Sequence, residues 1–273
     1  MATILKDDTT LEEQYKELHS DIKKLEWRIG QLKNKYRPNL IIFAILGGGA
    51  LFVLSALNPI GGLIGALIGW QFKWHQVAGS ELKMIKNLKK DLSPISKGLD
   101  GESWVTKLLK ESLSEEFLLI NDITIPTKNG NGTQIDHLLI TKKMIVCIET
   151  KNITGTFYPH KEGWLWYPPS NRGRQNYVQK KTIVKSPQKQ SIYHANQLKN
   201  LFKANNIYIP VKPIVVLTNP SAEWKGQSDK HCPVMTIQSL ISYCEKVDKE
   251  NESLEELSDD KLAALLTVIR EYV

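Results

Sequence analysis

The sequence predicts an α/β domain, a mixed sheet flanked by helices, preceded by a coiled-coil helix and a transmembrane helical hairpin. Three observations lead there. Apolar residues at heptad spacing occupy 11–36, an uncharged run fills 39–72, and beyond residue 96 short strand-like segments alternate with helix-period segments. The chain has 273 residues and a formal net charge of +7. That length suffices for one domain with a substantial core plus extensions.

The first segment, 1–37, reads as a coiled-coil helix. Leu11, Leu18, Leu25 and Leu32 alternate with Tyr15, Ile22, Ile29 and Tyr36. Leucine at d with isoleucine at a favours a parallel two-stranded coil. Against that, Gly30 weakens the helix and the pairs Asp21/Glu26 and Arg28/Lys33 repel in a parallel dimer. The other reading is an amphipathic helix packed on its own chain. The expectation is a homo-oligomer through 11–36 and the glycine-rich segment that follows.

The second segment, 38–74, reads as a membrane hairpin. Asn39–Phe72 holds no charged residue over 34 positions, more than the roughly 20 residues of one spanning helix. Asn58-Pro59 divides it, and Gly61, Gly65 and Gly69 at i, i+4, i+8 permit close helix contact in lipid. Lys33, Lys35 and Arg37 precede the run; Lys73, Lys83, Lys86, Lys89 and Lys90 follow it. Basic flanks on both sides favour the cytoplasm for both. The predicted location is the cytoplasmic membrane, with the remaining chain facing the cytoplasm. The chain starts with mixed charges, unlike a signal peptide. Residues 75–95 read as a basic linker helix ended by Ser93-Pro94.

The region 96–273 carries the α/β pattern. It predicts a helix at 100–113, strands near 117–126, 134–140 and 144–151, a hairpin around 155–167, and a helix at 187–204. A continuous apolar strand at 213–218 is of the buried-sheet kind. A short strand at 233–236 leads into helix 238–247, and Ser258 caps a last helix through Tyr272. Cys147, Cys232 and Cys244 have neither C-x-x-C spacing nor an even count, so neither a disulfide scaffold nor a zinc site is expected.

Two of these strands carry the chemistry. Alternation sets Gln134, Asp136, Leu138 and Ile140 on one face, and Ile145, Cys147, Glu149 and Lys151 on one face. A turn at Thr141-Lys142-Lys143 folds Asp136 nearly opposite Glu149. Met144–Ile148 is apolar on both faces, so the strand is central, and charges at its end need partners or a role. Two carboxylates suit Mg²⁺ or Mn²⁺, which binds through one or two acids plus water and substrate phosphate. Lys151 is placed to orient water or neutralise charge building on a phosphate. Glu102, Val105 and Leu109 fall on one helical stripe, which turns Glu102 toward the core.

The runs Gly98-Leu-Asp-Gly-Glu102, Gln134-Ile-Asp-His137 and Glu149-Thr-Lys-Asn152 with Gly155 after it, and the Ser186-Pro-x-x-Gln190-x-x-x-His194 pattern, resemble the nuclease-related domain (NERD). That family is placed in the PD-(D/E)XK restriction-endonuclease-like superfamily. The resemblance covers roughly residues 96–240. It implies a PD-(D/E)XK nuclease-like fold, Asp136 and Glu149 as metal ligands, Lys151 as the catalytic lysine, Glu102 as an accessory acid, and Gln190 as the helix-borne glutamine of the last motif. One departure is Ser186-Pro187 where Asn-Pro is usual; serine keeps the capping capacity.

Charge distribution points to the partner. Gly163 to Ala222 contains no Asp or Glu but holds Arg172, Arg174, Lys180, Lys181, Lys185 and Lys189 among its basic residues. Such a stretch is an electrostatic footprint for nucleic acid, DNA rather than RNA in this reading. Trp164, Trp166, Tyr167, Tyr177 and Tyr193 interleave with it, and some can stack on bases. The expectation is a membrane-anchored, Mg²⁺-dependent endonuclease acting on DNA, with defence against invading phage DNA as its setting. The alternatives are a nuclease-like module that binds nucleic acid without cutting, and a membrane scaffold.

Overall fold

The computed structural model describes residues 2–6, 9–54, 59–127, 130–169, 181–227 and 229–272. It divides into two compact units, one of Met1–Glu12 with Lys97–Val273 and one of Glu13–Ser96.

The 13–96 unit is built from two long helices, α1 (Thr10–Leu54) and α2 (Pro59–Ser112). The heptad positions of α1 form its covered stripe: Ile22 is buried, Tyr15, Leu18, Leu25, Ile29, Leu32 and Tyr36 half-buried, and Leu40 beyond them is buried. Gly65, Ala78 and Ile85 are buried on the facing helix. The two run antiparallel, since Lys89 Nζ meets Glu26 Oε1 at 2.8 Å while Gly47 lies against Gly65 and Phe43 against Gly69. The apolar stripe is thus satisfied inside the chain, and the predicted parallel oligomer through 11–36 is not supported. Added Cβ atoms at Gly65 and Gly69 would overlap the carbonyl oxygens of Gly47 and Phe43. The small residues therefore serve backbone-to-backbone contact within one chain.

Two further expectations are corrected in this unit. Among the described residues, no helix is long and apolar enough to cross a membrane, so the transmembrane hairpin is unsupported. Each apolar stretch is one end of a longer helix that continues into charged sequence, through Arg37 in α1 and from Lys73 in α2, and glycines dilute it. Asn58 of the predicted turn lies outside the described residues. Nor does Ser93-Pro94 end a linker helix, because Pro94 sits inside α2, which continues to Ser112.

The other unit holds a six-stranded mixed sheet in the order β1-β2-β3-β4-β8-β10. These are Thr3–Lys6, Leu118–Pro126, Gly132–Ile140, Ile145–Lys151, Val211–Leu217 and Val234–Thr236. β2, β3 and β4 are antiparallel neighbours; β1 joins β2, and β8 joins both β4 and β10, in parallel. One face packs on α3 (Pro187–Ala204) and α5 (Asp259–Arg270) through Leu198, Phe202, Leu265 and Ile269. The other packs on residues 97–112 of α2 and on α4 (Ile237–Val247) through Val105, Leu109, Leu240 and Cys244. β4 is buried on both faces for six of its seven residues, as its unbroken apolar run requires. A second sheet, in the order β7-β6-β5-β9, comprises Thr182–Val184, Gly163–Tyr167, Gly155–His160 and Ala222–Trp224. The mixed sheet flanked by helices is therefore present as expected.

Candidate active site

The acids gather at the end of β3 and β4. His137 pairs with Ile148, and the next step of that antiparallel register sets Asp136 opposite Glu149. The ladder stops there because Asp136 takes over its work: Oδ2 accepts the Thr150 backbone N–H at 2.7 Å. Glu149 is 1 % exposed, and its Oε1 accepts a hydrogen bond from Lys151 Nζ. Lys151 reaches it because residues i and i+2 share a strand face.

A third acid arrives from α2. Gly101 brings that helix close: a Cβ there would stand 2.9 Å from Thr218 Oγ1 and 3.0 Å from Asn152 Cβ. Asn152 Nδ2 donates to the Lys97 carbonyl at 2.8 Å and fixes the approach. The next residue, Glu102, is buried, and its Oε2 has no hydrogen-bond partner.

Electrostatics follows from this crowding. Burial, then the neighbouring Glu149, pushes Asp136 up to about 7, against the pull of Lys151, the Thr150 N–H and His194. Burial, then Asp136 and Asp122, pushes Glu102 up to about 8. Burial alone would lower the Lys151 ammonium, but Glu149 and Asp136 outweigh it and hold it above its ordinary value. The lysine stays charged, while the carboxylates compete for too little positive charge.

Two participants were given no role from the sequence. His194 on α3 is buried with Nδ1 3.3 Å from Glu149 Oε2, though not aligned as a hydrogen bond. Its i, i+4 spacing from Gln190 was the available signal. Asp122 lies where the β2–β3 register would face it to Asp136, but its φ of 49° interrupts the pairing. Its carboxylate accepts from the Thr10 N–H at the start of α1 and from Gln134 Nε2 at 2.6 Å. Asp122 is thus engaged as a cap, and the polar Asn121-Asp122 pair inside an apolar strand was its trace in the sequence.

Of the predicted residues, Glu102, Asp136, Glu149 and Lys151 come together. Gln190 does not join them: it is exposed and makes no side-chain hydrogen bond with the described residues. Gln188, one turn from Ser191, is the engaged glutamine, accepting from Trp164 Nε1 at 3.2 Å and donating to the Cys232 carbonyl at 2.8 Å. Lys181, Lys185 and Lys189 are exposed, and Lys189 Nζ donates to the Lys161 carbonyl at 2.8 Å. Arg172, Arg174 and Lys180 lie outside the described residues.

For a metal, the donor set is partial. Among the described residues, no group of three or more His, Cys, Asp and Glu side chains is arranged to hold one. Two carboxylates with raised protonation, and Oε2 atoms of Glu102 and Glu149 that accept no hydrogen bond, fit a hard cation that keeps most of its waters.

An uncharacterised protein of Bacillus anthracis, pXO1-01, is 27 % identical over 110 residues, which cover 40 % of this chain and 49 % of that protein. The chain thus matches about half the length of that relative. No solved structure matches significantly. The nuclease-related domain matches residues 97–218, the segment that supplies Glu102, Asp136, Glu149 and Lys151.

Proposed function

We propose that this chain is a metal-dependent nuclease that hydrolyses phosphodiester bonds of DNA at the Asp136–Glu149–Lys151 centre. The observation that carries the reading is the buried Glu149 paired to Lys151 beside an Asp136 held up to about 7. So many acids at one strand end destabilise an empty fold, and function is a common reason to keep them. Asp136 and Glu149 would hold Mg²⁺ or Mn²⁺. When bound, such an ion activates water and stabilises charged phosphate oxygens. Lys151 holds its proton and can donate to the attacked phosphate or position the water. Glu102 carries a proton near neutral pH and can relay one at that end of the strand. The nuclease-related match over 97–218 supports the same chemistry. The 273-residue chain incubated with plasmid, linear DNA and RNA, with and without Mg²⁺ or Mn²⁺, tests it. Metal-dependent cleavage lost in Glu149→Ala is expected; cleavage by Glu149→Ala at the parent rate overturns it.

We infer in addition that the apolar end of the two-helix unit attaches the enzyme to a membrane surface without crossing it. Ile41, Ile45, Leu46, Ile60, Leu63 and Leu67 are exposed there, each between 45 and 69 %. Lys33, Lys35, Arg37 and Lys73 border the uncharged stretch, which suits anionic headgroups. A nuclease at the inner surface would meet DNA as it enters the cell.

A further inference from the structure

The second sheet has two chemically different faces. Cross-strand pairing of Phe157 with both Trp166 and Trp224 sets these rings on one side. There Phe157 and Trp164 are buried, and the Trp164 and Trp224 rings meet tilted at 37°, centroids 4.6 Å apart. The tryptophans in the basic stretch are therefore committed to packing. The opposite face follows from the pairs Tyr158–Leu165, Thr156–Tyr167 and Leu165–Ile183. Tyr158 and Ile183 are 39 and 43 % exposed, and Leu165 and Tyr167 are half-buried. The Tyr158 and Tyr167 rings meet edge to face, centroids 5.5 Å apart at 72°. Each thereby limits the other's rotation, so little ring freedom remains to be given up when a ligand stacks.

Charge surrounds this face unequally. Lys181 and Lys185 flank β7, the edge strand, and Lys161 lies in the β5–β6 turn, all exposed. The acids nearby are Glu162 in that turn and Glu223 on β9, the latter paired with Lys225. The sheet is also fastened to the acid centre. β5 starts at Gly155, four residues after Lys151, hence within about 14 Å of it. Trp166 Nε1 donates to the Thr154 carbonyl at 2.7 Å, three residues beyond Lys151. Gly155, at φ 109°, allows this exit, since a Cβ would overlap the Tyr167 carbonyl.

We propose that the Tyr158–Tyr167 face is a stacking platform for the bases of single-stranded DNA, which it delivers to Asp136 and Glu149. The proposal rests on the hydrolytic reading for its destination only. Exposed aromatic rings bordered by lysines are what an unpaired strand requires, because every base has a π-face and every linkage a charge. A duplex hides its base faces and gains only the lysines.

The test uses the 273-residue chain in EDTA, so that binding is read without cleavage. Anisotropy of a labelled oligothymidylate and of a duplex of equal length is measured for the parent, Tyr158→Ala, Tyr167→Ala and the double variant. The single strand is expected to bind more tightly than the duplex, and the double variant to lose about tenfold or more of that affinity with duplex binding unchanged. Tyr158→Phe with Tyr167→Phe is expected to retain it. If the alanine variants melt early, a Tyr→Leu pair removes the rings while keeping apolar cover. Duplex binding as tight as single-strand binding, or an unchanged double variant, overturns the proposal and leaves hydrolysis standing. Tyrosine-dependent binding with no cleavage under Mg²⁺ or Mn²⁺ overturns hydrolysis and leaves the platform standing.

Discussion

The Asp136–Glu149–Lys151 cluster separates binding from chemistry at single positions. Glu149→Ala or Asp136→Ala is expected to abolish metal-dependent cleavage and leave nucleic-acid affinity within about twofold, because in the proposed reading lysines elsewhere make the phosphate contacts. Lys151→Ala is expected to lose cleavage while Mn²⁺ still binds, as read by electron paramagnetic resonance. The same residues fix the pH response. Glu102 and Asp136 are raised to about 8 and about 7 from ordinary values of 4.5 and 3.8. In the folded state they hold protons that the unfolded chain releases, so stability without metal rises as pH falls through those folded values. His137 works the other way. Burial drops it to about 3 from 6.5, so stability is lost as pH falls below 6.5, where only the unfolded chain takes up the proton. Two acids outweigh one histidine below pH 6.5, so the melting temperature in EDTA is expected to rise as pH falls from about 8 to about 4.5, less steeply below 6.5. Mg²⁺ should raise it more at pH 8.5 than at pH 6, since the ion competes with protons for the same oxygens. A metal-induced rise that is equal at both pH values, or that survives Asp136→Asn with Glu149→Gln, would place the ion elsewhere.

Elements show what a sequence can and cannot disclose. Helix α3 was legible to its ends, because Ser186 caps it through the Lys189 N–H and Pro187 opens it. β2, β3 and β4 were legible from alternation and apolar runs, and their register placed Asp136 against Glu149. Three short strands were not: Thr3–Lys6, Thr182–Val184 and Ala222–Trp224 owe their existence to neighbours that lend hydrogen bonds, not to their own patterns. The heptad of α1 was legible but its partner was not, since an apolar stripe does not say which chain covers it. Pro94 misled for a related reason: tertiary packing holds α2 through a proline that local propensity would treat as a stop. The engagement of Asp122 at the start of α1 was invisible because it joins residues 112 positions apart. Gly101 offers a test at this scale. Gly101→Val adds carbon where Thr218 and Asn152 already press within about 3 Å, so about 1–3 kcal/mol of stability should be lost. Cleavage should fall further than stability explains, because Glu102 moves with the helix. A variant with normal melting and normal activity would mean that α2 yields there without cost.

Across the whole molecule, charge and apolarity are segregated. Basic residues without acids run from Gly163 to Ala222, and the uncharged stretch runs from Asn39 to Phe72. The first predicts a salt dependence. Replacing Lys181, Lys185 and Lys189 by alanine should lower the slope of log K against log salt by about 0.7–0.9 for each phosphate that is no longer neutralised, and weaken all sequences alike. An unchanged slope would turn those lysines away from DNA. The second predicts where the chain resides. Exposed apolar side chains on the 13–96 unit include Ile60, Leu63, Ile64, Leu67 and Ile68, far more contiguous apolar surface than a helix in water normally presents. Removing such surface from water is worth about 25 cal/mol per Å², and neighbouring lysines add about 1 kcal/mol each against an anionic surface. The 273-residue chain is therefore expected to sediment with vesicles containing phosphatidylglycerol and to release in part when salt screens the lysines. Changing Ile45, Leu63 and Leu67 to glutamate should return it to the supernatant with nuclease activity intact. Because attachment without crossing leaves lipid on one side of the hairpin end, a cysteine at position 63 should resist an impermeant thiol reagent when vesicles are present and react when they are absent. Equal reaction in both cases, or a parent chain that stays in the supernatant, would remove the membrane from the account and leave the apolar end to a protein partner.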